Sequence, residues 1–371
     1  LVKKGSNWYL TNNGATPVDP VDPVDPVNPV DPVDPVVPDD GGNTPAPNVR
    51  PEGKAYASNL AAANNMFNMT LHDRLGETHY VDAFTGEKKV TSLWLRQVGG
   101  HNRSSDGGDQ NKTQANRYIA QLGGDIGQWS SNGDDRFHLG VMGGYASQNS
   151  NTRNHVTGYS ADGSVHGYSA GLYGTWFQDN EEKTGAYVDT WALYNWFDNG
   201  VSSKGQSSES YKSRGITASV ESGYTWKMGE KNDHESYYIQ PQAQLTWMGV
   251  KANDHKEANG TDVQFTGDGN VQTRLGVRAF IKGHNAKLDD GKERTFEPFV
   301  EANWLHNTHD FGANLDGVSV KEVGARNIGE LKVGVEAKLN KTVNLWGNVG
   351  QQMGDKGYSD TQATVGFKMN F

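Results

Sequence analysis

The sequence predicts an all-β fold: a 12-stranded antiparallel transmembrane β-barrel over residues 90–371, with an N-terminal α-helix threading the lumen. Three observations predict it. From Val90 onward, apolar residues recur at every second position. The connections between these alternating runs are long and short by turns. The polar face of the runs carries charges that a barrel this wide must keep wet.

The alternation is regular. Tyr237, Ile239, Pro241, Ala243, Leu245 and Trp247 interleave with Tyr238, Gln240, Gln242, Gln244 and Thr246. Leu331, Val333, Val335, Ala337 and Leu339 interleave with Lys332, Glu336 and Lys338. A period of two means one greasy face and one wet face. Such runs place strands near 90–100, 113–129, 136–149, 165–178, 184–198, 211–227, 236–251, 270–284, 294–307, 327–340, 342–354 and 361–371. Long polar connections fall near 101–112, 150–164, 199–210, 252–269 and 308–326, and short ones near 130–135, 179–183, 285–293 and 340–341. An even number of strands joined by long loops on one side and short turns on the other is the up-and-down membrane barrel pattern. Only the last outer connection, Asp355 to Asp360, is short on the long side.

The charges decide which face meets lipid. The polar face holds Arg96, Asp125, Asp189, Glu221, Arg274, Arg278, Glu297, Glu301, Lys332 and Glu336. If these pointed outward, the lumen would be wholly apolar and too wide for side chains to fill. Pointing inward, they line a hydrated channel and leave the apolar face to lipid. Tyr168, Trp176, Tyr194, Trp196, Tyr224, Trp226, Tyr237, Trp247 and Trp304 fall on the apolar face, several near strand ends where interfacial girdles sit. Val365, Phe367, Met369 and Phe371 alternate to a terminal aromatic, a strand whose free edge suits β-augmentation.

Bulk composition excludes other classes. No apolar run approaches the ~18 residues of a membrane helix. The net charge is −10 and the 34 basic residues are scattered, so no nucleic-acid partner is expected. The absence of cysteine removes disulfides and thiolate metal sites. The chain begins at Leu1 with no charged-then-apolar leader, so a signal peptide is expected upstream of a longer protein.

Three segments precede the barrel. Residues 1–14, with Ser6 to Leu10, read as one short strand, the last rung of something larger. Residues 15–51 form a linker holding eleven of the thirteen prolines, and Val18 to Pro38 repeats Val-Asp-Pro with two variants. Proline at every third position blocks helix and sheet and favours polyproline II, so at ~3.1 Å per residue the run spans roughly 65 Å. Residues 52–80 read as a helix with Leu60, Phe67, Leu71 and Leu75 on one stripe and Asn64, Asn65, Asn68, His72, Asp73 and Arg74 on other faces. Its ~20 residues span roughly 30 Å, the thickness of a hydrocarbon core, yet it is too polar for lipid. A water-filled lumen suits it, as would the surface of a soluble domain.

Few motifs carry chemistry. Gly167 to Gly171 matches G-x-S-x-G, but within one alternating strand rather than at a strand-to-helix turn, so no nucleophile is expected. His306 and His309 sit at a strand end and its loop without a metal-ligand pattern, and no cofactor or metal is expected. Asn64-Asn65 leaves two readings open. An Asn amide can attack its own carbonyl and cut the chain, given strain and nearby acids such as Asp125, Asp189, Glu221, Glu297 or Glu301. Alternatively, both side chains simply hydrogen-bond the channel wall.

Several segments resemble the translocator of type Va autotransporters, in the AIDA-type adhesin group. They are Ala61-Ala62-Ala63-Asn64 with Leu71 to Glu77, Trp94 to Arg103, Gln240 to Gly249 and Phe299 to Asn307. The resemblance covers residues 50–371, and Gly5 to Leu10 is similar to the end of a β-helical passenger. It implies a helix joining the first strand to a passenger outside, which the barrel delivers by type V secretion. It implies an outer-membrane location, no enzymatic turnover, and cutting of the linker or helix in some members. Expected partners are outer-membrane lipid or lipopolysaccharide, the barrel-assembly machinery reading Val365, Phe367, Met369 and Phe371, periplasmic chaperones and the chain's own passenger, with the barrel a monomer. A helix-plugged pore is the competing reading.

Overall fold

The computed structural model describes residues 2–4, 7–9, 48–75, 92–179, 184–231, 234–284, 294–340 and 342–370. They belong to two units, Leu1–Ala46 and Pro47–Phe371. In the first unit, β1 (Val2–Lys4) and β2 (Asn7–Tyr9) pair antiparallel, with Val2 opposite Tyr9. The sequence reads as one strand here, but an unpaired strand leaves its backbone groups without partners, and a hairpin supplies them. The Val-Asp-Pro repeat lies outside the described residues.

The second unit begins with α1 (Pro51–Asn65) and α2 (Leu71–Leu75). There follow β3 (Ser92–Asp106), β4 (Asn111–Trp129), β5 (Arg136–Asn154), β6 (Ser160–Phe177), β7 (Gly185–Ser203), β8 (Glu209–Lys231) and β9 (Glu235–Met248). Then come β10 (Lys251–Ala252), β11 (His255–Lys256), β12 (Asp262–Thr266), β13 (Asn270–Gly283), β14 (Thr295–Asn307), β15 (Gly312–Leu315) and β16 (Val318–Val323). The last three are β17 (Asn327–Lys338), β18 (Val343–Gly354) and β19 (Ser359–Asn370). The barrel itself is β3 to β9, β13, β14 and β17 to β19, twelve strands each antiparallel to its neighbours. β19 returns to β3 over a register from Ser359 opposite Arg103 to Asn370 opposite Ser92. The terminal strand is therefore no free edge, because its ladder is filled by β18 on one side and β3 on the other. Phe371 lies outside the described residues.

Apolar side chains point away from the lumen. Leu122, Leu172, Val220, Leu245, Val300, Leu331 and Val349 each expose between 45% and 55% of their surface. A belt of this kind would be intolerable in water and is what a lipid-facing barrel requires. Girdles bound it. Trp129, Phe137 and Trp176 meet near one rim, and Tyr145, Tyr168 and Trp196 near the other. Tyr168 and Trp176 are eight residues apart on β6. At ~3.4 Å per residue and a tilt of ~40°, that is roughly 20 Å of height, the scale of the apolar band.

The strands run past the belt. Three connections expected to be long are tight turns at 107–110, 155–159 and 204–208. Alternating hydropathy marks only the part of a strand that lipid touches. Above it, as in Ser150 to Arg153, both faces are polar and the segment reads as loop, although the ladder still pairs every residue. The two connections that are long contain strands of their own: β12 pairs with β15 across them, with Val263 opposite Leu315.

The helix expected over 52–80 is two helices. All of α1 from Pro51 to Asn64 is buried inside the barrel, against β5, β6 and β7 and beneath β15 and β16. It ends at Asn65, and residues 66–70 are not helical. Side chains of the wall take the carbonyls that would continue it, as described below. Residues 76–91, including Val90, lie outside the described residues, as does the side chain of Leu75.

Candidate functional site: the helix-filled lumen

At the outer mouth, the chain enters through a polar clamp. The Val49 N–H donates to Gln110 Oε1 at 3.0 Å, and its carbonyl accepts from Asn154 Nδ2 at 2.8 Å and Asn111 Nδ2 at 3.3 Å. Arg50 reaches Glu257 at 3.0 Å. Pro51 then starts α1, where a missing N–H costs nothing.

Successive turns of α1 touch successive parts of the wall. Ser203 donates to Glu52 at 2.5 Å. Lys54, fully buried, pairs with Glu322 at 2.7 Å and donates to Ser104 at 2.8 Å. Tyr56 donates to Glu257 at 3.0 Å, and Asn59 to Tyr211 at 3.2 Å. Leu60 packs with Met248 and Phe311. Each of these buried charges has a partner, which offsets the cost of taking it out of water. Small residues, Ala55, Ala57 and Ala61 to Ala63, let the helix approach the wall closely.

The break in the helix is made by the barrel. Arg96 Nη2 donates to the Asn68 carbonyl at 3.3 Å. Trp191 Nε1 and Gln244 Nε2 donate to the Met69 carbonyl at 3.1 and 2.8 Å. Asp73 of α2 then reaches back to Thr70, whose N–H and hydroxyl donate to Oδ2 at 2.9 and 3.1 Å.

Below it, α2 is fixed almost entirely by polar contacts. The Leu71 N–H donates to Glu221 at 2.9 Å, and His72 Nε2 lies 2.7 Å from Gln240 Oε1. Asp73 faces Lys332 at 3.7 Å and Arg96 at 3.8 Å. Arg74 pairs with Asp189, donates to Thr175 at 3.1 Å and lies 4.1 Å over the Tyr173 ring. Tyr173 in turn leans across Gly140, where any Cβ would lie 2.1 Å from its ring.

The structure thus places the sequence's charged set on the inner wall. Asp125, Asp189, Glu221, Arg278, Glu297, Glu301, Arg96, Lys332 and Glu336 are buried and Arg274 is half-buried. A bulge between Asp125 and Gly127 keeps Asp125 inward while Ile126 faces out. Asp125 binds His138 at 2.9 Å and Tyr173 at 2.6 Å. Arg274 joins Glu330 and, at 3.2 Å, Glu301. Arg278 reaches Glu336 at 2.7 Å and stacks 3.6 Å over Phe299.

Asn64 and Asn65 are not brought to any of these carboxylates. Asn64 donates to Leu60 O at 3.1 Å and Val250 O at 3.0 Å and accepts from Val250 N at 3.0 Å. Asn65 donates back to Ala61 O at 2.8 Å. Ser169 of the G-x-S-x-G run is buried in β6, and His306 contacts Asn327 at 2.9 Å. Val365 is exposed, and Phe367 and Met369 are half-buried. Sequence reasoning missed Lys54 with its partner Glu322, and Glu257 with its partner Tyr56, pairs each more than 200 residues apart. A lone lysine in a helix assigned to the lumen was the available signal for the first. The site as a whole can grip a threaded chain, and among the described residues it gathers no metal-binding cluster.

Known proteins are similar to this chain in sequence and fold. The autotransporter beta-domain family model matches residues 93–350. The autotransporter adhesin AIDA-I of Escherichia coli is 39% identical over 327 residues, covering 87% of this chain and 25% of that protein. The uncharacterised protein YdeU of E. coli K12 is 53% identical over 377 residues, covering 98% of this chain and 77% of that one. The crystal structure of the AIDA-I transport unit superposes with a TM-score of 0.77 at 36% identity, covering 87% of this chain and all of that unit. The beta domain of the Bordetella autotransporter BrkA shares the fold, with a TM-score of 0.58 at 20% identity over 76% of this chain and all of that domain. The chain spans about a quarter of the length of AIDA-I. It belongs to the autotransporter beta-domain family and is an outer-membrane translocator barrel of the AIDA group.

Proposed function

We propose that this barrel delivers an upstream adhesin-like β-helix, ending in residues 1–14, to the cell surface and holds it there through the 15–51 linker. The observation that supports this most is the path of the chain. It runs from α2 up through α1 to Val49, which is gripped at the mouth bearing the β11–β12 and β15–β16 hairpins. In this reading the passenger leaves the barrel by that mouth. A stiff spacer of roughly 65 Å would lift it clear of the membrane surface.

The passenger stays covalently attached in this reading. Both hydrogens of Asn64 Nδ2 are spent on carbonyls, so the amide is not free to turn onto its own carbonyl carbon. The partners that fit are the chain's own passenger, periplasmic chaperones before insertion, and the barrel-assembly machinery, which would meet the strand ending Val365, Phe367, Met369 and Phe371 before it pairs with β3. The barrel acts as a monomer in this reading, with no open strand edge to which a second copy would pair.

An epitope placed ahead of Leu1 in the exported chain tests this. Antibody should label it on intact cells, on a chain whose mass includes the full 40.5 kDa of this segment. Labelling only after the outer membrane is broken, or a barrel released from its upstream part by cutting at 64–65, would overturn the reading.

A further inference from the structure

The outer wall carries a cationic cluster at the upper lipid boundary that the translocation path does not use. Trp196 on β7 belongs to the upper aromatic girdle, and its direct partner on β8 is Arg214. Arg214 in turn faces Lys251 on β10. Lys212 lies two residues along the same outward face of β8. Lys212 and Lys251 each hold one carboxylate, Asp198 at 3.3 Å and Asp268 at 2.9 Å. Arg214 is exposed and forms no ion pair among the described residues.

Two physical facts make this more than surface decoration. Like charges directly opposite in a sheet repel, with Cβ atoms ~5 Å apart, unless an anion lies between them. The pair also sits at a fixed height. Ile216, Trp196 and Trp247, which expose 48%, 43% and 45%, mark the top of the apolar belt beside it. An anion reaching Arg214 and Lys251 from outside must therefore sit at the headgroup level of the outer leaflet. The two aspartates pair with the two lysines and leave the third charge uncancelled.

We infer that Lys212, Arg214 and Lys251 form a docking site for the sugar-linked phosphate of an outer-leaflet glycolipid such as lipid A, with the acyl chains lying against Trp196, Ile216 and Trp247. Arginine can clasp the phosphate with two parallel hydrogen bonds, while the lysines act as point charges at its flanks. The site lies on the outer wall, so its occupancy is independent of the helix in the lumen.

The test uses the full chain folded in neutral detergent and titrated with bisphosphorylated lipid A, with bound lipid counted by native mass spectrometry. One tightly retained lipid A is expected. The variant Lys212→Gln/Arg214→Gln/Lys251→Gln should weaken retention by roughly tenfold or more. Dephosphorylated lipid A should bind the wild type and this variant equally weakly, and inorganic phosphate alone should give no adduct. The control Lys112→Gln/Arg153→Gln removes another facing pair of exposed cations, higher on β4 and β5, and should leave retention unchanged. Folding of every variant is checked by the heat-dependent shift of the closed barrel on a gel. Equal retention by wild type and triple variant, equal loss in the control, or tight binding of inorganic phosphate would each overturn the proposal.

Discussion

The side-chain amide of Asn64 answers both backbone groups of Val250, accepting from its N–H at 3.0 Å and donating to its carbonyl at 3.0 Å. Val250 sits where β9 has ended at Met248 and β10 has not yet begun at Lys251. The helix therefore completes the barrel ladder at a gap in the wall. A side chain in the lumen does there what a neighbouring strand does elsewhere.

Replacing Asn64 should expose how much this matters. In N64A, two buried backbone groups of Val250 lose their partners, a cost on the order of 2–4 kcal/mol. N64D keeps the acceptor but turns a second oxygen toward the Val250 carbonyl, so it should be at least as damaging at neutral pH. Urea unfolding in detergent, followed by tryptophan fluorescence, reports the midpoint. An unchanged midpoint in both variants would mean that water replaces the amide at no cost.

Arg74 and Asp189 make the second grip. Both are buried, and Asp189 also accepts from Thr175 at 2.5 Å. R74A should cost roughly 3–5 kcal/mol, because it strands a buried carboxylate. R74A/D189A should cost less than the two single variants summed, since removing both charges removes the stranding. A double-mutant cycle on unfolding free energies checks it, and strict additivity would show that the pair is not coupled.

What the sequence could reveal was set by which solvent touches each residue. Lipid on one face and a wet lumen on the other write a period of two into Leu245 and Gln244, or Leu331 and Lys332, and twelve strands follow from counting such runs. Above the lipid that signal ends, which is why β5 reads as loop from Ser150 to its end at Asn154. Parity decides which way Asp189 points, but not that Arg74 meets it from 115 residues away. The helix break was hidden for the same reason. Nothing near Asn68 or Met69 forbids a helix, and the groups that stop it, Arg96, Trp191 and Gln244, come from three distant strands.

The short turn at 130–135 should respond to acid. Asp135 accepts from Ser131 at both its N–H and hydroxyl and from Ser130, at 2.6 to 2.8 Å. The Ser131 hydroxyl holds its carboxyl well below the usual carboxylate range, against a smaller opposing effect of burial, with help from Ser130, the Ser131 amide and Trp176. A depressed folded pKa means that the stabilisation is complete above the unfolded value of ~3.9 and is lost as pH falls through the folded value. The destabilisation caused by D135N should thus be constant from neutral pH down to ~4 and shrink below it. The Ser131 amide resonance should titrate with a midpoint under ~3.9, and a midpoint at or above that value would contradict the assignment.

Removing the helix should convert the barrel into an open channel. α1 bonds the wall's backbone at Val250 and at the Gly200 carbonyl, while the ladder's own hydrogen bonds run from strand to strand, so a chain lacking residues 48–75 should still close. Arg96, Glu301 and Arg278 are buried now because α1, α2 and the residues between them fill the lumen with the wall side chains. With the helices gone they would line water, which a charged inner wall tolerates better than an empty apolar one. Single-channel recording in planar bilayers should show a small conductance for the intact chain and a several-fold larger one for the deletion. Equal conductances would place the closure elsewhere, in the β12, β15 and β16 strands that cover the outer mouth.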